Sequence, residues 1–538
     1  MENKENNENR SRTYTKKRFK ESDDSSDRRG FRRRPGFSGR SIQRDTVSNL
    51  SDAKANTYFR GTVKIVRKAK PGPTVFSVSD GYLQVDAVTP ESEFSVDDIV
   101  ELKGKVNERA GKIQIEIDSM NKIKMDFDSI LDEKSMPSNR ALSIKSERLE
   151  TMRPRMMEIA QRLRRAVLDG EAIMIRHHAD TDGISAGIAL QHSLEALMAK
   201  VGVNKAYYLY RSPSKAPFYE TSDVLHDFTR AKRMEKEFGQ KKPLFLVVDN
   251  GSTPEDAFAH KTLHDLGYDV IVIDHHNPVE MQGNETSVCK YLTLHLNPYM
   301  FGFDGNTCAG MLAYEIARLI DEDYEEKLIP AVTGISDRCE IPETQEYIKN
   351  TGRSREELTN IGIAIDFASY NMRFASGEGL YEEILVNPEM VEMMTEKVRA
   401  GMETQLQSTL PYVKTQEIND VIFSHIDLEK YTMRFQYPPP GKVIGMIHDT
   451  IAEGKDHHAV LSIGYLSDMI IVRATKPVLP VATMIANLQK ELPEANVDGG
   501  GHECAGAIKF VSAHQSGVIE SIKRQLKELP QDTISEEE

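Results

Sequence analysis

Cysteine is scarce in this chain. Its four cysteines, at positions 289, 308, 339 and 504 of 538 residues, form no CxxC pair. That argues against a zinc ribbon or a disulfide framework and fits a reducing cytoplasm. No apolar run approaches the ~18 residues of a membrane span, so no membrane partner is expected. The opening "MENKENNENR" is polar and lacks the apolar core of a secretion signal, which again predicts a cytoplasmic protein. No repeat of solenoid period occurs. The composition is that of a soluble globular protein, 39% hydrophobic and 28% charged, long enough for two or three domains with their own cores.

The net charge of −14 is unevenly spread. Residues 1–50 hold 14 Lys+Arg against 8 Asp+Glu, a balance of +6, which leaves −20 for the rest. An acidic body with a basic arm can still grip nucleic acid where basic residues line a groove and metal ions screen the acids. Residues 1–53 are poor in aliphatics and include "DRRGFRRRPGFSGR". This predicts a disordered basic tail, either solubilising or touching nucleic acid.

From residue 54 to 125 short alternating runs are broken by Gly and Pro turns: "YFRGTVKIVRKAK", "PGPT", "VFSVSDGYLQVDAV", then "DDIVELKGKVNERAGKIQIEIDSM". These predict a small antiparallel barrel. The series resembles a nucleic-acid-binding OB-fold. Such barrels hold single strands by a basic groove and aromatic stacking, which makes Arg60, Lys64, Arg67, Lys68 and Tyr82 the candidate contacts. Phe76 is expected inside the barrel. Residues 126–139 read as a linker. From 140 to 345, buried strands alternate with helices, which predicts a parallel sheet with ligands at its carboxyl edge. A helical connector is expected over 346–412, a smaller α/β domain over 413–530, and an acidic tail over 531–538.

Four apolar runs read as strands that end on acids and imidazoles. "MIRHHADTDG" carries His178, Asp180 and Asp182; "LFLVVDNG" carries Asp249; "VIVIDHHNP" carries Asp274, His275 and His276; "AVTGISD" carries Asp337. Singly, each is an ordinary turn or cap. On adjacent parallel strands they would converge, and packed carboxylates repel unless a cation neutralises them. Oxygen ligands mixed with imidazole suit Mn²⁺ or Mg²⁺. An aspartate bridging two ions would set them roughly 3.5–4 Å apart, as in phosphoryl displacement.

H-A-D-T-D-G at 178–183, V-V-D-N at 247–250, D-H-H at 274–276 and S-D at 336–337 resemble the four motifs of the DHH phosphoesterase superfamily. "GGGHECAGA" at 499–507 resembles the signature of its companion DHHA1 domain. With an OB-like module and a basic arm attached, the chain is most similar to the RecJ-like, archaeal-type single-strand nucleases. The resemblance implies that His178, Asp180, Asp182, Asp249, His275 and Asp337 are ligands to two ions, Mn²⁺ or Mg²⁺, with Asp249 bridging. His276 would act beside the scissile phosphate, and Asp274 would orient the histidines. Arg473, Gly499, Gly500, Gly501 and His502 would contact substrate. Two departures stand out: the candidate OB module precedes the catalytic core, and a zinc module found in some relatives is missing. The expected function is trimming of single-stranded DNA or RNA in replication or repair, with replication-fork or repair proteins as compatible partners. Two rivals are a phosphodiesterase on short oligonucleotides, cyclic dinucleotides or nucleoside bisphosphates, and a non-catalytic replisome scaffold.

Overall fold

The computed structural model describes residues 45–529, apart from 374, 434, 435, 456 and 457, and the backbone alone at His502. The acidic tail and most of the basic tail expected from the sequence lie outside the described residues.

Five strands close the N-terminal barrel: β2 (Tyr58–Ala69), β3 (Thr74–Ser79), β4 (Gln84–Thr89), β5 (Ile99–Arg109) and β6 (Lys112–Lys122). Their order is β2-β3-β4-β6-β5, and β5 pairs back on β2. The β4–β6 pair is parallel and the others are antiparallel. That closed order, with its single parallel pair, is OB-like. Alternation puts Phe59, Val63, Ile65, Phe76, Val78, Leu102 and Ile115 inside, fully buried. Residues 45–53, assigned to the tail from sequence, belong to this module instead. A two-residue strand, β1 (Thr46–Val47), pairs with β2, and Leu50 and Ala53 enter the barrel core. The short polar stretch hid them because only a few apolar side chains, Val47, Leu50 and Ala53, anchor it.

The expected linker is also structured. Helix α1 (Asp128–Ser135) inserts Leu131, with Phe127 before it, into the core of the next domain. Helix α2 (Glu147–Leu168) follows. It is capped by Ser146, whose side chain accepts the Leu149 N–H. The central sheet is wholly parallel. Its order is Leu294–Leu296, β10 (Val270–Ile273), β9 (Leu244–Val248), β7 (Ile173–His178) and β8 (Leu209–Ser214). Apolar runs such as "LFLVV" and "VIVI" are buried along their whole length, as strands covered on both faces require. The chain passes from β7 to β8 on one side and returns to β9 on the other, which opens a crevice at the carboxyl ends of β7 and β9.

One expected strand is a helix. "LIPAVTGIS" forms the helix Leu328–Ser336, and Asp337 is its C-cap. A short apolar run has no periodicity that separates a buried strand from a buried helix. The C-terminal domain carries a mixed six-stranded sheet. Strands Val421–Asp427 and Ala459–Tyr465 pair in parallel, and the glycine-rich strand Asp498–His502 lies at the edge, antiparallel to Ala505–Lys509. No described helix is long and apolar enough to cross a membrane.

The barrel is fastened to the parallel-sheet domain by charge, and three candidate nucleic-acid contacts are engaged within the protein. Lys64 is buried, 2.8 Å from Asp169 at the end of α2 and 3.3 Å from Asp97. Lys241, before β9, joins the same two acids at 2.8 and 2.6 Å. Arg67 donates from Nε to the Phe238 carbonyl (2.9 Å) and lies over the Tyr207 ring. Lys68 donates to the carbonyls of Ser92 and Phe94. Lys64 and Arg67 therefore face the neighbouring domain, and Lys68 is spent on a barrel loop. Arg60 stays at the surface, paired with Glu101 (3.1 Å), and Tyr82 is 43% exposed.

Asp169→Ala would leave Lys64 and Lys241 sharing Asp97 alone. Removing one partner of a buried charge cluster costs about 3 kcal/mol. The barrel should loosen from the catalytic domain, and limited proteolysis should cut near residue 125 well before it cuts the parent protein. Identical cleavage kinetics would contradict this role for Asp169.

Candidate metal centre

The crevice is built around Asp249. It follows β9 in the left-handed region (φ 57°), unusual for a residue with a side chain. Its N–H donates to the Ile273 carbonyl (2.9 Å), which ties the turn to β10. The carboxylate is 1% exposed, and its oxygens face the imidazoles of His275 (3.2 Å) and His178 (3.5 Å). A carboxylate buried in that state is costly unless a cation joins it.

Two groups of ligand atoms meet at Asp249. His178, at the end of β7, holds Nδ1 2.9 Å from Asp180 Oδ2 and 3.5 Å from Asp249 Oδ2. On the other side, His275 Nε2 is 3.2 Å from Asp249 Oδ1, 3.1 Å from Asp337 Oδ2 and 3.7 Å from Asp182 Oδ2. His178, Asp180 and Asp249 are close enough to share an ion; so are Asp249, His275 and His276, and so are Asp182, His275 and Asp337. All six sequence-expected ligands therefore stand at one sheet edge. Asp337 arrives from a helix end rather than a strand.

Neighbouring elements aim these groups. Asp180 caps helix α3 (Thr181–Lys200) by accepting the Gly183 N–H (3.0 Å). A Cβ on Gly183 would lie 2.4 Å from the His178 carbonyl oxygen and 2.9 Å from Asp249 Oδ2, so only glycine lets this turn approach the carboxylate. Asp182 accepts the N–H groups of Ala309 and Gly310 (both 2.8 Å) at the start of the helix Ala309–Ile320. His275 Nδ1 donates to the Gly305 carbonyl (2.7 Å), which turns Nε2 toward the acids. Asp274 is fully buried and accepts from Ser252 N–H (3.1 Å), His275 N–H (2.8 Å) and His276 Nδ1 (2.8 Å). Asn297 donates to the His276 carbonyl and to Ser252 Oγ, both at 2.9 Å. Gly183, Ser252, Asn297 and Gly305 escaped the sequence reading. Gly183 was visible as the last letter of H-A-D-T-D-G, whereas the other three read as loop residues.

The electrostatics express crowding. Burial pulls the His178 and His275 imidazoles down, but the acids beside them carry both well above the ordinary range. Burial and the charges of Asp249 and Asp337 push Asp182 well up. Asp337 is also raised, by burial, against the pull of His275. Burial alone would raise Asp274, but His276 holds it low, and Asp274 in turn raises His276.

The substrate-binding candidates lie in the C-terminal domain. Gly499 (φ 148°) and Gly501 (φ 140°) are demanded by strand pairing, since a Cβ on either would meet the carbonyl of Ala507 or Ala505 within 2.4 Å. A Cβ on Gly500 would instead face Glu255, in the turn after Asp249, at 4.0 Å. Arg473 is half-buried on the strand Met469–Ala474, packed where Gly441 and Gly445 leave room. The side chain of His502 is outside the described set.

The model of the DHH family, N-terminal domain, matches residues 172–335. An uncharacterised protein of Methanocaldococcus jannaschii is 36% identical over 530 aligned residues, covering 88% of this chain and 69% of that one. A solved DHH domain, described as a member of a family of ribosomal proteins, is 36% identical; the match covers 75% of this chain and 97% of that one, with TM-score 0.72. RecJ from Thermus thermophilus in complex with Mn²⁺ aligns with TM-score 0.48 and 16% identity, over 74% of this chain and 57% of that one. The chain belongs to the DHH family, and it is a phosphoesterase whose oxygen and imidazole donors suit divalent metal.

Metal ions bind imidazole lone pairs and carboxylates, not their protonated forms. Raised pKa values at His178, His275 and Asp182 mean that these groups hold protons more tightly than free side chains do, and metal must displace those protons. Affinity for Mn²⁺ should therefore rise with pH and fall as these groups protonate. Calorimetric titration in buffers of differing ionisation enthalpy should report proton release, and uptake would refute the assignment.

Proposed function

We propose that this protein is an exonuclease that hydrolyses phosphodiester bonds of single-stranded DNA or RNA, using two ions of Mn²⁺ or Mg²⁺, in replication or repair. The observation that carries the reading is Asp249: a buried carboxylate at the end of a parallel strand, shared between two groups of ligand atoms. His178, Asp180, Asp182, His275 and Asp337 would complete the two sites. When bound, divalent ions supply Lewis acidity toward phosphoryl oxygens and an acidified water.

The chain's own residues do the rest. Asp274 holds His276 by Nδ1 and raises its proton affinity, so that Nε2 would serve as the donor to the leaving oxygen. The parallel sheet and the helix Ala309–Ile320 fix the acids before substrate arrives, so little reorganisation attends the reaction. Gly500 and Arg473 would meet phosphates from the C-terminal side. The OB-like barrel, with Arg60 and Tyr82 exposed, would hold the strand beyond the crevice.

Asp249→Ala should fold and show no turnover of end-labelled single strands with Mn²⁺ or Mg²⁺; near-parental activity would eliminate the two-ion reading. His276→Ala should keep its metal and lose roughly 10²–10⁴-fold in rate. Comparable metal loss in His275→Ala and His276→Ala would refute the division of labour. The double variant Arg60→Ala/Tyr82→Ala should bind long strands at least about fivefold more weakly, with a shallower salt dependence and unchanged turnover of a dinucleotide. If the parent protein turns over a dinucleotide faster than a long strand, the substrate is a small molecule instead.

A further inference from the structure

The loop that carries Asp180 and Asp182 is braced by a helix from outside the sheet. Thr181, between those acids, donates its N–H (3.1 Å) to Oδ1 of Asp366, on the helix Arg355–Asn371, and its hydroxyl is in reach of that oxygen (2.7 Å) and of the Gly362 carbonyl on the same helix (2.9 Å). One turn later, Ser369 donates its hydroxyl to the Ala179 carbonyl (2.7 Å). The second oxygen of Asp366 is ion-paired with Nζ of Lys442. Lys442 lies in the first turn of the helix Pro440–Ala452, which belongs to the C-terminal domain. A single carboxylate thus joins the metal-ligand loop to the domain that carries Arg473 and the glycine strand.

We propose that Lys442 and Asp366 form a latch through which the docked C-terminal domain sets the affinity of the metal centre, with both acting as positioning residues. The proposal rests on reading this crevice as a metal centre. Its logic is geometric. With Lys442 in place, Asp366 is held at both oxygens and cannot rotate away from Thr181. Without Lys442, Oδ1 loses its orientation, and the turn from Asp180 to Asp182 loosens. Because coupling between sites is reciprocal, metal binding then also favours the docked domain.

The sign of the effect separates a latch from simple electrostatics. Lys442 is a positive charge near a cluster of acids, so its loss through space should tighten cation binding. A latch predicts the reverse. Manganese binding to the full chain, read by calorimetry or by the signal of free Mn²⁺, should be roughly tenfold weaker in Lys442→Met, the low end for a group that orients a ligand from behind. Asp366→Asn should match it: the amide oxygen still accepts from Thr181, but its NH₂ faces the ammonium. Lys442→Arg should bind like the parent. In an Asp366→Ala background, adding Lys442→Met should change nothing further. Equal or tighter binding in Lys442→Met overturns the latch. A parent protein that binds no Mn²⁺ overturns the metal-centre reading itself, and that result is seen before any variant is made.

Discussion

The arrangement depends on one electrostatic constraint: a carboxylate at Asp249 sealed from water, with further carboxylates and imidazoles crowded on it. In a low-dielectric crevice the carboxylates repel one another strongly. The surrounding structure holds them together against that repulsion. The left-handed turn at Asp249, the bare Cα of Gly183, the helix start that grips Asp182 and the carbonyl that orients His275 each restrict a group that would otherwise swing apart. Such preorganisation is costly to the empty protein and useful to a site whose cation completes it.

A comparable division governs the barrel. An OB-like module offers one basic surface, and here that surface is shared out. Lys64 and Arg67 have gone to the joint with the catalytic domain, where Asp169 and the Phe238 carbonyl receive them. Arg60 and Tyr82 remain toward solvent. A rigid joint keeps the barrel at a set place relative to the crevice, which matters if one strand is to touch both. The C-terminal domain is joined differently, by polar contacts such as Lys442 with Asp366 and Arg338 with Asp449 (3.6 Å), and by Lys509 over the Phe218 ring.

The chain also uses helix ends as much as strand ends. Asp180 caps α3, Asp182 caps the helix Ala309–Ile320, and Asp337 ends the helix Leu328–Ser336. The first two satisfy backbone N–H groups while fixing a carboxylate, so a local folding requirement and a ligand geometry are met by one side chain. This is why the acids occur in short, similar phrases along the sequence.

Much of this was legible in the sequence by itself. Unbroken apolar runs marked β7, β9 and β10, alternation marked the barrel strands, and acids closing successive buried runs marked the crevice, because period and burial are local properties. Three things were not legible. The run before Asp337 is helical, since a short apolar stretch carries no period to distinguish the two structures. The residues at 45–53 and 128–135 belong to the ordered body, since a few buried side chains decide that and their partners are distant in sequence. Lys64, Arg67 and Lys68 of β2 face another domain or a loop, since a charge has the same letter whether it meets a phosphate or Asp169. Residue type and spacing determined the chemistry available to this chain; only the tertiary structure decided which charges were already paired, because pairing depends on distances that the order of residues does not contain.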